Sequence, residues 1–125
     1  MRTSPPLPGL SYEVADVRHL AWPDGSMDAL VDKATLDTAL NGGAGDGEAL
    51  LGESARTLRH GGVLLCVTTG APEERLPLLL APRAIVAAGA VQGGNQEAAP
   101  CFELAQHAEL RRGVHTFHAY VLRRI

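Results

Sequence analysis

Apolar runs separated by glycine, proline and charged residues predict an α/β domain. Ser11–Val17 carries aromatic and β-branched residues and predicts a strand with Asp16 near its end. A polar link, His19–Ser26, follows and contains a Pro-Asp-Gly turn signal. Met27–Val31 predicts a second strand, followed at once by another acid. Two strands that each deliver an acid at the carboxyl end are typical of an open α/β sheet with a ligand crevice.

The next stretch predicts helical structure interrupted by glycines. Lys33–Leu40 is interpreted as a short helix or a loop leading into one. Asn41–Gly47 holds four glycines and predicts a flexible loop. Asp46 is expected to cap a helix over Gly47–Arg59, in which apolar residues recur at i, i+4 and i+7.

A third strand completes a parallel unit. Gly61-Gly62 is expected to end the helix. Val63–Thr69 is a continuous apolar run, the pattern of a parallel strand covered on both faces. The segment Met27–Thr69 therefore predicts a βαβ unit with a right-handed crossover. The predicted core residues are Val31, Leu51, Leu58, Leu64, Leu65 and Val67.

The last third of the chain is less regular. Glu73–Leu80 predicts a short helix, and residues 84–99 have no clear period. Cys101–Ala105 and Val114–Leu122 predict two final strands. Because Leu110–Gly113 carries a turn between them, the two strands are expected to pair antiparallel.

Composition narrows the class of protein. The 125 residues suffice for one domain, residues 11–125, after an irregular proline-rich arm, residues 1–10. A net charge of −3 argues against a nucleic-acid-binding domain. No run is long and apolar enough for a membrane span, and no signal peptide is visible. With two cysteines expected as buried thiols, Cys66 and Cys101, the sequence predicts a cytoplasmic protein.

Acidic residues at the predicted strand ends are the main candidates for chemistry. Asp16 can accept a hydrogen bond from an exocyclic amine such as that of adenine, or be a solvated carboxylate or cap. Asp32 follows the second strand and Thr68 ends the third. Because the carboxyl ends of parallel strands share one edge of a sheet, we expect Asp16, Asp32 and Thr68 to lie along that edge.

The residues after Asp32 predict a substrate-binding segment. Lys33, Thr35 and Asp37 follow it closely, so a carboxylate there can orient a substrate amine and Lys33 can hold an acid. The alternative is local capping of the next helix by Asp32 or Thr35.

Other chemistry is weakly indicated. His115 and His118 are three residues apart, which places them on opposite faces of a strand and argues against a metal site. No histidine pairs convincingly with a nucleophile, and no glycine fingerprint of the G-x-G-x-x-G type follows an early strand. No catalytic residue is assigned.

Two segments resemble class I S-adenosylmethionine-dependent methyltransferases. They are DVRHLAWPDGSMDALVDKATLDTAL, from Asp16, and RTLRHGGVLLCVT, from Arg56. The similarity is closest to the methyltransferase-like branch that methylates lysines on proteins such as a translation elongation factor. The block at Asp32–Asp37, DKATLD, resembles that branch's Asp-Lys-Gly-Thr-Leu-Asp signature, with Ala34 in place of glycine, and Met27 replaces a phenylalanine.

This resemblance implies a partial Rossmann-like sheet, mostly parallel, with S-adenosylmethionine as cofactor and a protein as substrate. It implies that Asp16 and the Val17 backbone contact adenine, and that Asp32 lies on the crevice floor near the methyl group. The family's strand order is 3-2-1-4-5-7-6. The glycine-rich cofactor turn and the first two strands have no counterpart here, so we expect weak or no cofactor binding and self-association through an open sheet edge.

Two further hypotheses remain open at this stage. One is a non-catalytic, methyltransferase-like remnant that acts as an interaction module. The other is a generic α/β nucleotide-binding domain unrelated to methyl transfer.

Overall fold

The computed structural model describes residues 7–43, 45–82 and 100–125. Within these ranges the chain forms a sheet with helices packed on it. The expectations for residues 84–99 and for most of the arm lie outside the described residues. The strands are β1, Met27–Lys33; β2, Leu58–Thr68; β3, Phe102–Arg112; and β4, His115–Arg124; the helices are α1, Thr35–Gly42; α2, Asp46–Thr57; and α3, Pro72–Leu80.

The sheet confirms the predicted α/β class. Its strand order is β1-β2-β4-β3, with β1 and β2 parallel and joined through α1 and α2. The other two pairings, β2 with β4 and β3 with β4, are antiparallel, as predicted for the last two strands. This order corresponds to the 4-5-7-6 half of the sheet implied by the resemblance, and its parallel character is limited to the β1–β2 pair.

The junction of α2 and β2 differs from the prediction. The helix is preceded by Gly45 at φ 84°, Asp46 is its first residue rather than its cap, and it ends at Thr57. The register between β1 and β2 jumps here, so that residues 59–62 bulge out of β2. Gly61 has φ 78°, and a Cβ on Gly62 would lie 2.9 Å from a backbone oxygen, so both glycines serve the bulge and do not end the helix.

The core lies on one face of the sheet. Leu51, Leu58 and Leu64 are fully buried there, as predicted. Leu65 and Val67, also predicted as core, are only half-buried, because residues alternate along β2 and both lie on its other face. Val31 is 74% exposed, so its assignment to the core was wrong. It pairs with Leu65 on the face of the sheet away from α2. The sequence predicted that both faces of the parallel strands would be covered, but among the described residues this face is not.

The predicted strand Ser11–Val17 was also wrong, since the segment has no regular structure. Tyr12 is 87% exposed, and β1 pairs only with β2 in the described sheet. A strand needs hydrogen bonds from a neighbouring strand, and residue types alone do not supply them. Among the described residues, the outer edge of β1 therefore has no partner strand.

Ala34 has a backbone conformation that residues other than glycine rarely adopt. It lies between β1 and α1 at φ 66° and ψ −5°, the left-handed region. Its N–H donates to the Val67 oxygen at 3.0 Å, and its own oxygen accepts from Thr38 N at 3.1 Å, so the geometry is fixed from both sides. This is the place where the resembling proteins carry glycine.

We predict that Ala34→Gly stabilises the chain. The left-handed conformation costs an alanine roughly 1–2 kcal/mol, whereas the added freedom of glycine in the unfolded chain costs roughly 0.4–1 kcal/mol. We expect a net gain of about 0.5–1 kcal/mol in the free energy of unfolding, measured by urea denaturation. The matched control is Ala39→Gly within α1, which should lose about 1 kcal/mol. A loss at both positions would contradict the assigned conformation of Ala34.

We also predict that Leu58→Ala destabilises the fold by about 2–5 kcal/mol, because the side chain is 2% exposed and its removal leaves a cavity. The control is Val114→Ala in the β3–β4 turn, where the side chain is 94% exposed and the change should stay within about 0.5 kcal/mol. Chemical denaturation measures both, and equal effects would contradict the core assignment.

Candidate functional site

The carboxyl ends of β1 and β2 lie side by side and carry the predicted polar residues. Asp32 pairs with Cys66 in the parallel register, and Thr68 ends β2 two residues later. The Asp32 carboxylate accepts hydrogen bonds from Thr35 N at 3.0 Å and Leu36 N at 3.1 Å. It thus caps the first turn of α1, which is the alternative considered from the sequence. A carboxylate at the start of a helix also interacts favourably with the helix dipole.

Asp37 ties α1 to the end of β2. Its Oδ1 accepts a short hydrogen bond from the Thr68 hydroxyl, and its Oδ2 accepts one from Thr69 N at 3.1 Å. Arg75 from α3 donates to Asp37 Oδ1 at 3.3 Å and to Thr68 Oγ1 at 3.2 Å. The side chains of Asp37 and Arg75 are each 18% exposed, so this ion pair is largely shielded from water. The network holds three elements together at one edge of the sheet.

A close approach at Gly70 completes the network. A Cβ on Gly70 would lie 2.2 Å from the Arg75 side chain, so only glycine leaves room for the guanidinium stem. The buried Tyr120 hydroxyl donates to the Gly70 oxygen at 2.7 Å, and burial raises the pKa of Tyr120 to about 12. Burial likewise raises the pKa of Cys66 to about 12, which favours the protonated thiol at neutral pH.

Asp16 is anchored to the same edge by an arginine. Arg18 donates to the two carboxylate oxygens of Asp16 at 3.0 and 2.8 Å, and its backbone N–H adds a bond of 2.9 Å. These hydrogen bonds lower the pKa of Asp16 to about 2. Arg18 also reaches Asp46, the first residue of α2, at 3.4 Å. Since α2 runs directly into the start of β2, its first residue lies toward the carboxyl ends of the strands.

After Asp16, residues 17–24 run along α2 toward the amino ends of the strands and form a descending segment. The guanidinium group of Arg56 holds this segment in place. Arg56 donates to the backbone oxygens of Leu20 and Trp22 at 3.0 and 2.9 Å. It also donates to Asp24 at 2.7 Å and twice to Glu53, at 3.1 and 2.8 Å. All five N–H groups of Arg56 are therefore used. The same ion pairing raises the pKa of Arg56 and lowers that of Glu53.

A cavity of about 160 Å³ lies between this descending segment and the sheet. Its walls are mostly apolar, and polar groups come from Asp32, Thr35 and Ser54. The volume is below the roughly 300 Å³ at which pockets for complete small ligands begin, so it has room for one part of such a ligand. The remaining lining residues are Val17, Leu20, Trp22, Leu30, Val31, Leu50 and Leu64.

The structure brings some predicted site residues together and separates others. Val17, Asp32 and Thr35 share the cavity. Asp37 lies in the adjacent network, one turn along α1 from the Asp32 cap. Lys33 is exposed and, because strand residues alternate, points to the opposite face of the sheet from Asp32.

Three arginines hold the site and the segment that leads away from it, and they were not assigned to the site from the sequence. They are Arg18, Arg56 and Arg75, which hold Asp16, the descending segment and Asp37 respectively. Arg18 and Arg56 carried local signals, since Arg18 stands two residues after Asp16 and Arg56 three residues after Glu53. The contacts of Arg56 with Trp22 and of Arg75 with Asp37 span more than thirty residues, a separation that no sequence pattern encodes.

The described residues contain no group of three or more metal-ligating side chains. Within the same ranges, no helix is long and apolar enough to cross a membrane.

Comparison with known proteins identifies the family. The model of the methyltransferase domain matches residues 2–66, more than half of the chain. The chain is 34% identical over 80 residues to EEF1A lysine methyltransferase 4 of Mus musculus, and 34% identical over 79 residues to that of Bos taurus. These alignments cover 56% and 55% of this chain and 31% of each relative, so the matched segment spans about a third of the relatives' length.

Solved structures support the same fold. A methyltransferase from Methanosarcina mazei, described as S-adenosylmethionine-dependent, superimposes with a TM-score of 0.61 at 13% identity, over 90% of this chain and 66% of the other. The [4+2]-cyclase SpnF superimposes with a TM-score of 0.60 at 14% identity, over 90% and 54%. At these identities the likeness concerns the fold alone. With the domain match over residues 2–66, it follows that the chain belongs to the class I methyltransferase family.

Proposed function

We propose that this chain provides the cofactor crevice of an S-adenosylmethionine-dependent methyltransferase that acts on protein lysine. The observation that carries the proposal is the meeting of Asp32, Thr35 and Val17 at one cavity on the carboxyl edge of the parallel pair. Ligands of open α/β sheets bind outside that edge. The domain match and the elongation-factor lysine methyltransferases among the relatives support the choice of reaction.

The residues present fit one part of the cofactor. Apolar walls with Trp22 and the carboxylate of Asp32 suit a flat heteroaromatic ring with an amine, while the volume excludes the whole molecule. Asp16, kept ionised by Arg18, adds an acceptor at the same edge, beside the Val17 backbone. S-adenosylmethionine supplies an electrophilic methyl group on a sulfonium. The contribution of this chain is to hold and orient the cofactor, which is the main requirement of an in-line displacement.

We assign Thr35 and Asp37 to the part of the site that faces the methyl acceptor, a lysine side chain of the protein substrate. A lysine ammonium is attracted by carboxylates, and Asp32 and Asp37 lie on the first turn of α1 or next to it. Arg75 already neutralises Asp37, so Asp37 is proposed to shape the site through Thr68 rather than to bind the ammonium alone. Lys33, on the opposite face, is the weakest of the proposed substrate contacts.

A cytoplasmic location is part of the same proposal. Its support is that Cys66 and Cys101 are free thiols, as expected in a reducing compartment.

A second candidate function is that of an interaction module. The sheet face opposite the helices carries Val31, 74% exposed, and Leu110, 48% exposed, with half-buried apolar residues between them. The open edge of β1 borders this face. Exposed apolar faces and unpaired strand edges favour association with another polypeptide, including a second copy of the chain.

We predict weak, localised binding of S-adenosylmethionine by this chain. A cavity that admits only part of the ligand should give a dissociation constant of about 1 mM, equivalent to about −4 kcal/mol. Calorimetric titration measures the affinity, and amide chemical shifts should map it to Val17 and Thr35. Asp16→Ala should abolish binding. The control is Asp28→Ala, an 89% exposed aspartate near the start of β1, which should leave binding unchanged.

Two results would contradict this prediction. A micromolar dissociation constant abolished by Asp16→Ala would mean that the chain holds a complete cofactor site. Shift changes that avoid Val17 and Thr35, or equal losses in Asp16→Ala and Asp28→Ala, would remove the cofactor assignment.

We further predict that Asp16 stays ionised far into the acid range. Its pKa is lowered to about 2 by Arg18, so the pair's stabilisation is present above the ordinary aspartate value of 3.8 and is lost as the pH falls through about 2. Carboxyl carbon shifts followed by NMR should give a midpoint near 2, returning toward 3.8 in Arg18→Gln. The control is Arg111→Gln on β3, which should not move the midpoint. An ordinary midpoint in the unmodified chain would mean that the Asp16–Arg18 pair does not form.

A further inference from the structure

Two histidines form a hydrogen-bonded pair between β3 and β4, on the face of the sheet that carries the core. Nε2 of His107 lies 2.9 Å from Nδ1 of His118, and the ring of Tyr120 stacks on that of His107 with centroids 4.9 Å apart. His118 is only 8% exposed, whereas His107 is exposed. Neither histidine lines the cofactor crevice or belongs to the Asp37 network, so the pair has no role in the function proposed so far.

The register of the sheet places this pair next to the proposed acceptor region. His118 on β4 is paired with Thr68, the last residue of β2. His107 pairs with Tyr120 and therefore lies further from the carboxyl edge of β2 than His118 does. Side chains of directly paired residues project to the same face, and Thr68 bonds to Asp37 on that face. His118 is therefore the histidine that lies beside the Asp37 network.

The hydrogen bond between the two rings determines what each nitrogen of His118 can do. One nitrogen of the bond must carry a proton and the other must be bare, since two N–H groups or two lone pairs would repel each other. Nε2 of His118 donates to no residue within the described ranges, which favours the tautomer that carries its proton on Nδ1 and donates it to His107. Nε2 is then unprotonated. Because Nδ1 is directed back toward His107, Nε2 lies on the side of the ring nearer the carboxyl edge.

The charged groups around the pair carry a net negative charge. Two bonded pairs of an acid and an arginine flank the histidines, one on β3 and one joining α1 to α3. Two further acids are exposed in the first turn of α3, close enough to Tyr120 to act on it electrostatically. A substrate ammonium group is therefore attracted to this edge. The acids are Asp37, Glu73, Glu74 and Glu109, and the arginines are Arg75 and Arg111.

The acids at this edge are less suited than the histidine pair to remove a proton. Asp32 and Asp37 each accept several hydrogen bonds from the protein. A general base is typically a side chain whose second polar atom is held by another group, which leaves the first atom free for the substrate. His118, held through Nδ1 by His107, has this arrangement.

We propose that His118 accepts the proton of the substrate lysine and that His107 positions it for that step. The inference rests on the proposed methyltransferase function, because a lysine nitrogen must lose a proton before its lone pair can take up a methyl group. One N–H bond of the ammonium breaks as an N–H bond forms at Nε2 of His118, and the electron pair of the broken bond stays on the lysine nitrogen. The charged ring then donates to His107 in a strengthened hydrogen bond. The proton afterwards passes to water, which regenerates His118.

Nitrogen NMR of the 125-residue chain, labelled in its histidines, tests the tautomer. At a pH at which both rings are neutral, we expect Nε2 of His118 to give the signal of an unprotonated nitrogen and Nδ1 that of an N–H group. His107→Leu removes the acceptor, so both tautomers of His118 should be populated. His107→Gln offers an amide oxygen in place of Nε2 and should restore the single tautomer, a rescue that packing alone would not give. The control is His115→Leu, an exposed histidine at the start of β4.

A pair of lysine probes tests the proton transfer. N-acetyl-lysine amide should shift the Nε2 signal of His118. The same compound with a trimethylated side-chain nitrogen should not, because it has equal charge and no N–H to donate. In His107→Leu the shift at equal probe concentration should fall about twofold, since only about half of the molecules then have a bare Nε2. His115→Leu should respond like the unmodified chain.

Three outcomes would overturn the inference. They are a proton on Nε2 of His118 in the unmodified chain at neutral ring charge, equal responses to the two probes, and an unchanged tautomer in His107→Leu. The first two are measured on the unmodified chain, so they decide even if a variant does not fold. None of these measurements needs the cofactor. A chain that does not bind S-adenosylmethionine would therefore remove the proposed function without altering them, and the two failures are distinguishable.

Discussion

The parallel pairing of β1 with β2 determines where the chemically relevant residues of this chain lie. Because the two strands run in the same direction, Asp32 and Thr68 meet at one edge and the bulge with Arg59 lies toward the other. The connection through α1 and α2 then places the start of α2 near the first edge and its end near the second. Each end of α2 has its own arginine contact, Arg18 at Asp46 and Arg124 at Ala55. Pairs of an arginine with an aspartate lie at both edges: Asp16–Arg18 and Asp37–Arg75 at the first, Asp24–Arg56 and Asp28–Arg59 at the second.

The sequence was sufficient for the parts of the fold that depend on local pattern. The apolar run of β2, the helix α3 and the antiparallel pair β3–β4 were all predicted within a few residues or with shorter strands than observed. The errors concern non-local facts. Val31 has the residue type of a core position, but which face of β1 receives the helices is decided by α2. Gly61-Gly62 has the pattern of a helix end, but its role as a bulge depends on the register with β1.

The candidate site was predictable to a similar extent. The positions of Asp32, Asp37 and Thr68 follow from their places after strands, and the structure brings them to one edge. Their partners could not be predicted, since Arg75 reaches Asp37 from a helix thirty-eight residues away. The resemblance pointed to Ala34 through a missing glycine, and the positive φ there gives the physical reason for that glycine. A motif position can therefore reflect backbone geometry alone.

The fold that the family shares does not by itself determine the chemistry of this chain. A [4+2]-cyclase shares the fold at a TM-score of 0.60, so the sheet by itself does not select methyl transfer. The acids at this edge of the sheet all have partners: Asp16 is held by Arg18, Asp32 caps α1, and Asp37 is paired with Arg75. A carboxylate that already accepts hydrogen bonds from the protein is a poor general base. The same bonds fix its position, which makes it a well-oriented hydrogen-bond acceptor. An enzyme that transfers a methyl group from a sulfonium needs such fixed orientation more than it needs a proton acceptor, and in that respect the edge formed by β1 and β2 suits the chemistry of the family.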